Sequence, residues 1–194
     1  GGDANSVAVG KQALDATLDT SIYNTAIGAF TLTAANHANA DYNTAVGYYA
    51  GAAITSGKQN TFIGGQAGDA TDDGNYNVAI GRAALSANCV DNNTAVGKSA
   101  LTLFTGSQAT AVGSGAADSA GSQTNLTAVG FNALSAATSG NNNTAIGASA
   151  LLTVDGGNNT AVGKDTLNAD CVNDNTGVGY KALEAFTGSN ATAV

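Results

Sequence analysis

A short unit ending in glycine recurs from one end of the chain to the other, and it constrains the fold more than any other feature. Its commonest form is Asn143-Thr144-Ala145-Ile146-Gly147. The glycines fall at Gly10, Gly28, Gly47, Gly64, Gly81, Gly97, Gly113, Gly130, Gly147, Gly163 and Gly179, a nearly even spacing that is widest over the first two steps. A twelfth copy, Ala191-Thr192-Ala193-Val194, stops one residue short of its glycine. A fixed period of this length specifies similar coils stacked on one another, each contacting its neighbours. The expectation is one repeat domain over 1–194 with about 11–12 coils. Cys89 and Cys171, Gly81 and Gly163, and Phe104 and Phe186 all share one separation, which adds a five-coil super-repeat over 82–163 that resumes at 164–194. The chain opens mid-pattern and ends mid-motif, as an excised piece of a longer protein would.

Columns read down the repeats carry the secondary structure. Val or Ile precedes every glycine, usually with Ala one residue earlier, then Thr, then Asn. Alternation with period two and β-branched residues on one parity are strand signals. Thr and Val/Ile therefore share one face and Ala the other. Aliphatic side chains are the most often buried. The expected interior column is accordingly Val9, Ile27, Val46, Ile63, Ile80, Val96, Val112, Val129, Ile146, Val162 and Val178. After each glycine, two variable residues lead to Ala or Thr and then usually Leu, as in Ala133-Leu134, which reads as a second short strand packing on that column. The rest of each period is a polar turn such as Ser139-Gly140-Asn141-Asn142, where all length variation falls. Asn24, Asn43, Asn60, Asn77, Asn93, Asn143, Asn159 and Asn175 align as an amide ladder. The fold class is all-β, a parallel β-solenoid.

Few function classes fit this composition. A net charge of −8 argues against a nucleic-acid partner, which needs a basic surface. No apolar run approaches the ~20 residues of a membrane span, and no signal peptide is visible. Catalysis needs unlike groups that converge, and the chain has one histidine, His37, in the long turn Asn36-His37-Ala38-Asn39. No catalytic, cofactor or metal residues are expected. Asp72-Asp73-Gly74-Asn75 and the stretch Asp170 to Asp174 offer oxygen ligands but match no calcium loop, so they read as Asx turns. Cys89 and Cys171 lie five coils apart, roughly 24 Å, beyond disulfide reach. Lys11, Arg82, Lys98, Lys164 and Lys181 cluster just after the repeat glycines, in the region where Tyr48, Tyr49, Phe131 and Tyr180 also fall. Those rings could stack on sugars but are dispersed along the chain.

Asn5-Ser6-Val7-Ala8-Val9-Gly10 resembles the repeated motif of YadA-like heads in trimeric autotransporter adhesins, and the later Asn-Thr-Ala-Val/Ile-Gly copies resemble related phage tail-fibre-like repeat proteins. The resemblance covers essentially the whole chain. It implies a left-handed β-roll, three chains side by side, exposed on a bacterial cell surface or a phage fibre. The period here is longer than in those heads, so no ligand residue is carried over. One coil's Val/Ile and Leu bury too little apolar surface to offset ordering its backbone. A homotrimer contact along the smooth strip Ala95, Ala111, Ala128, Ala145 and Ala161 is therefore expected. The function so implied is a non-catalytic structural or adhesive segment of an extracellular fibre, which could belong to a longer filament and meet a host-surface or matrix ligand. The alternative is a phage tail-fibre head or shaft recognising a host receptor or glycan. Ice or mineral binding by the Thr rows ranks lower, because Thr would share its face with the Val/Ile core.

Overall fold

The computed structural model describes residues 5–15, 22–35 and 40–194. Its strands are β1 Val7–Val9, β2 Thr25–Ile27, β3 Thr44–Val46, β4 Thr61–Ile63, β5 Val78–Ile80, β6 Thr94–Val96, β7 Thr110–Val112, β8 Thr127–Val129, β9 Thr144–Ile146, β10 Thr160–Val162, β11 Thr176–Val178 and β12 Thr192–Ala193. They form one sheet in chain order, all parallel, and no helix occurs among the described residues. The register is straight: Thr127 pairs with Thr144, Ala128 with Ala145 and Val129 with Ile146. Parallel strands with long connections need a crossover, and here each crossover is one turn of the solenoid. Twelve strands at ~4.8 Å make the sheet about 53 Å long.

The two faces of this sheet are the reverse of the sequence expectation. Ala26, Ala45, Ala79, Ala95, Ala111, Ala128, Ala145 and Ala161 are fully buried inside the chain itself. The Val/Ile column points outward. Val9 is 56% exposed and Ile146 41%, with Ile27, Ile63, Ile80 and Val112 also exposed. Val46, Val96, Val129, Val162 and Val178 on that face are only half-buried. So Val9, Ile27, Val46, Ile63, Ile80, Val96, Val112, Val129, Ile146, Val162 and Val178 are not the core column. Ala95, Ala111, Ala128, Ala145 and Ala161 already line the interior and are not free to meet another chain. The physical reason is width. So short a coil is thin, and its interior already holds Leu85, Leu101, Leu134, Leu151 and Leu167 from the opposite wall. Only a methyl fits against them, since interiors pack to near-crystalline density.

The leucines do not lie on a second strand. Leu32, Leu85, Leu101, Leu134, Leu151 and Leu167 all have φ between 47 and 54°, the left-handed region, so the chain turns where the sequence pattern predicts extension. Stacking pays for that backbone strain: Leu134 N–H donates to Ala150 O at 3.0 Å and Leu151 N–H to Thr166 O at 3.0 Å, coil to coil. From Gly28 to Gly163, a residue seven or eight after the repeat glycine completes the interior, among them Ile54, Cys89, Phe104, Val154 and Cys171.

The repeat glycine is required by the stack. From Gly10 to Gly163, φ is 130–139°, and a Cβ there would stand 2.3–2.7 Å from the carbonyl of the next coil's glycine. A second glycine pair answers to volume. Phe62 replaces Ala in the interior column and is fully buried. Where other coils carry Leu, its own coil has Gly68 and the preceding coil Gly51. A Cβ at those positions would meet the Phe62 ring at 2.6 and 3.0 Å. One phenyl ring occupies space that two leucines vacate.

Candidate functional site

The buried asparagines are the polar spine of the stack. Asn24, Asn43, Asn60, Asn77, Asn93, Asn143, Asn159 and Asn175 have the same parity as the interior Ala and are at most 1% exposed. Each side-chain oxygen accepts the backbone N–H of the next coil, as from Asn43 to Asn24 at 2.8 Å and from Asn159 to Asn143 at 2.9 Å. Each amide nitrogen donates to a turn carbonyl, as from Asn143 to Gly156 at 2.8 Å. Buried polar groups need such partners. The spine is interrupted at Ala109 and Leu126, where buried Gln123 donates from Nε2 to Ala137 O at 3.3 Å. A second, exterior ladder runs Asn125, Asn142, Asn158 and Asp174 through side-chain bonds of 3.0, 3.0 and 3.1 Å.

The outward face of the strands runs the length of the sheet. Two parallel rows run along it, Thr from Thr25 to Thr192 with Val78 in one place, and Val/Ile beside them. The straight register stacks Thr on Thr and Val/Ile on Val/Ile from β2 to β11, except where Val78 pairs with Thr61 and Thr94. Thr is therefore on the solvent side, and the ground for ranking ice or mineral binding low is removed.

Aromatic residues that the sequence spreads out are gathered by the coil period. Phe30 and Tyr49, one coil apart in chain order, stack with ring centroids 4.9 Å apart and planes 25° apart. Tyr48 lies edge-on to Tyr49 at 4.5 Å and to Phe30 at 6.1 Å. Lys11 Nζ stands 5.5 Å over the Phe30 ring. On the other side of the strands, Tyr23 and Tyr42 stack at 5.0 Å. Phe30, Tyr23 and Tyr42 were not singled out from the sequence, although their separations match the local period. Phe131 lies apart from the cluster, while Tyr180 lies between Lys164 and Lys181, whose Nζ atoms are 5.6 and 5.7 Å from its ring centre. Those lysines also pair with Asp165 and Glu184, both at 2.8 Å.

The other candidates do not converge. His37 lies outside the described residues. Asp72 takes the Thr55 hydroxyl hydrogen bond, and Asn75 donates to Asp91 at 2.8 and 3.0 Å from its backbone and side chain. Among the described residues no three His, Cys, Asp or Glu side chains come together as a metal site, and the surface they form has no cavity. Cys89 and Cys171 are buried free thiols whose pKa values are raised by desolvation. Burial also raises the pKa of Asp69 and of Asp118, and Asp69 Oδ1 has no hydrogen-bond partner. No helix among the described residues is long and apolar enough to cross a membrane. No known family, curated protein or solved structure matches the chain.

Proposed function

We propose that this chain is a non-catalytic segment of a trimeric extracellular fibre, on a bacterial cell surface or a phage virion, with its chains joined through the Thr and Val/Ile face. The observation that carries the proposal is that aliphatic row on the outer face, whose members from β1 to β11 are either exposed (Val9 at 56%, Ile146 at 41%) or half-buried and none of which is buried in the coil. Contiguous apolar surface of this extent marks an interaction site on a soluble protein. A flat face with one register suits another rigid face, and the Ala side is already used inside the coil. The number three and the left-handed winding rest on the motif's resemblance to YadA-like heads. A phage fibre head or shaft that recognises a host receptor or glycan is the alternative within the same architecture.

Light scattering tests the assembly. The chain is expected to have three times its 18.8 kDa mass in solution. Val112, Val129 and Ile146 replaced together by Arg should give a folded monomer with unchanged β-sheet circular dichroism. A monomeric parent, or a variant that stays trimeric, overturns the assignment, and a dimer overturns the number. Ice or mineral binding is the second reading, favoured by the exposed Thr row. It requires a monomer that shapes growing ice or adsorbs to mineral, and that loses the effect when Thr127 and Thr144 become Tyr.

A further inference from the structure

We infer that Phe30, Tyr48 and Tyr49 form a shallow binding platform for a neutral saccharide, lying beside the strand face at the N-terminal part of the stack. The inference rests on the fibre reading above, in its receptor- or glycan-recognising form, and gives it a place and a ligand class. Three aromatic rings meet within 4.5–6.1 Å, and Tyr48 is 56% and Tyr49 36% exposed. Exposed rings packed on one another are preorganised, because their backbone is held in the coil ladder. Phe30 N–H donates to Lys11 O at 2.9 Å, Tyr49 N–H to Ala29 O at 3.1 Å and Gln66 N–H to Tyr48 O at 2.8 Å.

The chemistry of the patch narrows the ligand. Beside Tyr48, the next coil has Gly65, where a Cβ would meet nothing nearer than 3.9 Å, so the ring overlooks an open step. Gln66, exposed on the coil that forms this step, is tied to Tyr48 through its backbone N–H, which donates to Tyr48 O at 2.8 Å. Aromatic faces carry negative quadrupole density and attract the weakly positive C–H face of a pyranose, while amide and phenol groups match its hydroxyl rim. A platform of three rings is far smaller than the ~800 Å² per partner of a stable protein interface. Lys11 already stands over Phe30, and the net charge of −8 opposes an anionic sugar polymer. What fits is an uncharged sugar ring stacked on Tyr48.

The test is saturation-transfer NMR on the full chain with soluble oligomers of glucose, galactose, mannose and N-acetylglucosamine, beside sialylated and sulfated oligosaccharides. The expected result is transfer to ring C–H protons of at least one neutral oligomer, with a dissociation constant on the order of millimolar. Tyr48→Ala should weaken it about tenfold or more, Tyr49→Phe should retain it, and Tyr180→Ala should leave it unchanged. Circular dichroism and light scattering on the same samples separate the two readings. A trimer that binds no neutral oligomer, or binds only the anionic ones, overturns the platform and leaves the fibre assignment standing. A monomer that binds through Tyr48 overturns the trimer and leaves the platform. A folded Tyr48→Ala chain that binds as before also overturns the platform, as does one that loses binding and trimer mass together, which would make the rings a chain contact.

Discussion

Replacing Asn143 with Ala removes one rung of the polar spine and nothing else from the fold. The side chain accepts the Asn159 N–H at 2.9 Å and donates to Gly156 O at 2.8 Å and Gly140 O at 3.2 Å. Asn143 and Asn159 are both fully buried, so water cannot readily replace what is lost. Leaving a buried donor or acceptor without a partner costs about 1–3 kcal/mol, and two such groups are orphaned, the Asn159 N–H and the Gly156 carbonyl. The sum is about 2–6 kcal/mol. For a chain of this size each kcal/mol moves the melting temperature by about 2–4 °C, so a fall of roughly 5–20 °C is expected. The control is Asn141→Ala, two residues away. Asn141 is exposed and its side chain accepts only the Thr124 N–H at 2.9 Å, so its loss should stay within about 0.5–1 kcal/mol. Thermal and urea unfolding by circular dichroism read both variants. If the two shift the midpoint equally, or if Asn143→Ala costs less than about 1 kcal/mol, the spine does not hold the coils together.

Three further outcomes follow from the packing and the buried groups. Gly68→Ala should destabilise by about 1–3 kcal/mol by overpacking against the Phe62 ring, and Phe62→Ala in the same chain should recover part of the loss, a coupling that a double-mutant cycle measures. Cys89 and Cys171 should resist iodoacetamide at pH 8 until denaturant is added, because burial raises their pKa values and keeps the thiols neutral. The unfolded thiols ionise first, so the stability this confers is present at neutral pH and is lost as pH rises above about 8.5. Asp69→Asn should raise the melting temperature at pH 7 and leave it unchanged at pH 3. The Asp69 pKa is raised by desolvation, so its contribution is intact below about pH 3.9 and turns unfavourable as pH rises through the folded value.

Period, the place of the one strand in each coil, straight register and the aligned asparagines were legible in the chain, because stacking repeats the same residue at the same place, whereas the second strand expected at the Leu column does not form. The direction of the strand faces was not. Alternation shows that Thr144 and Ile146 share a face opposite Ala145, and it is silent on which face is inside. Hydrophobicity favours Ile146, yet the available width favours Ala145, and width is a property of the closed coil. One clue lies in the sequence. Where Phe62 stands in the Ala column, Gly51 and Gly68 stand in the Leu column, a volume exchange that makes sense only if the two columns face each other. The αL leucines were hidden for a related reason. Leu134 at a φ of 54° is unfavourable locally and is held there by its bond to the next coil. Phe30 and Tyr49 align two residues after Gly28 and Gly47, so their neighbourhood was readable, but their ring stacking was not, because side-chain direction after the glycine depends on the turn the closed coil imposes.

The chain-order parallel sheet also fixes how such a rod would respond to tension. Its interstrand bonds run along the stacking axis, so a pull between the two ends loads them in series, and coils peel away one after another instead of shearing together. Each coil that yields releases up to roughly 55 Å of extended chain in place of ~4.8 Å of rod. A segment of this design would lengthen many-fold before its polypeptide was taut, absorbing work at every step. That is the behaviour of a shock cord, and it comes from strand order alone.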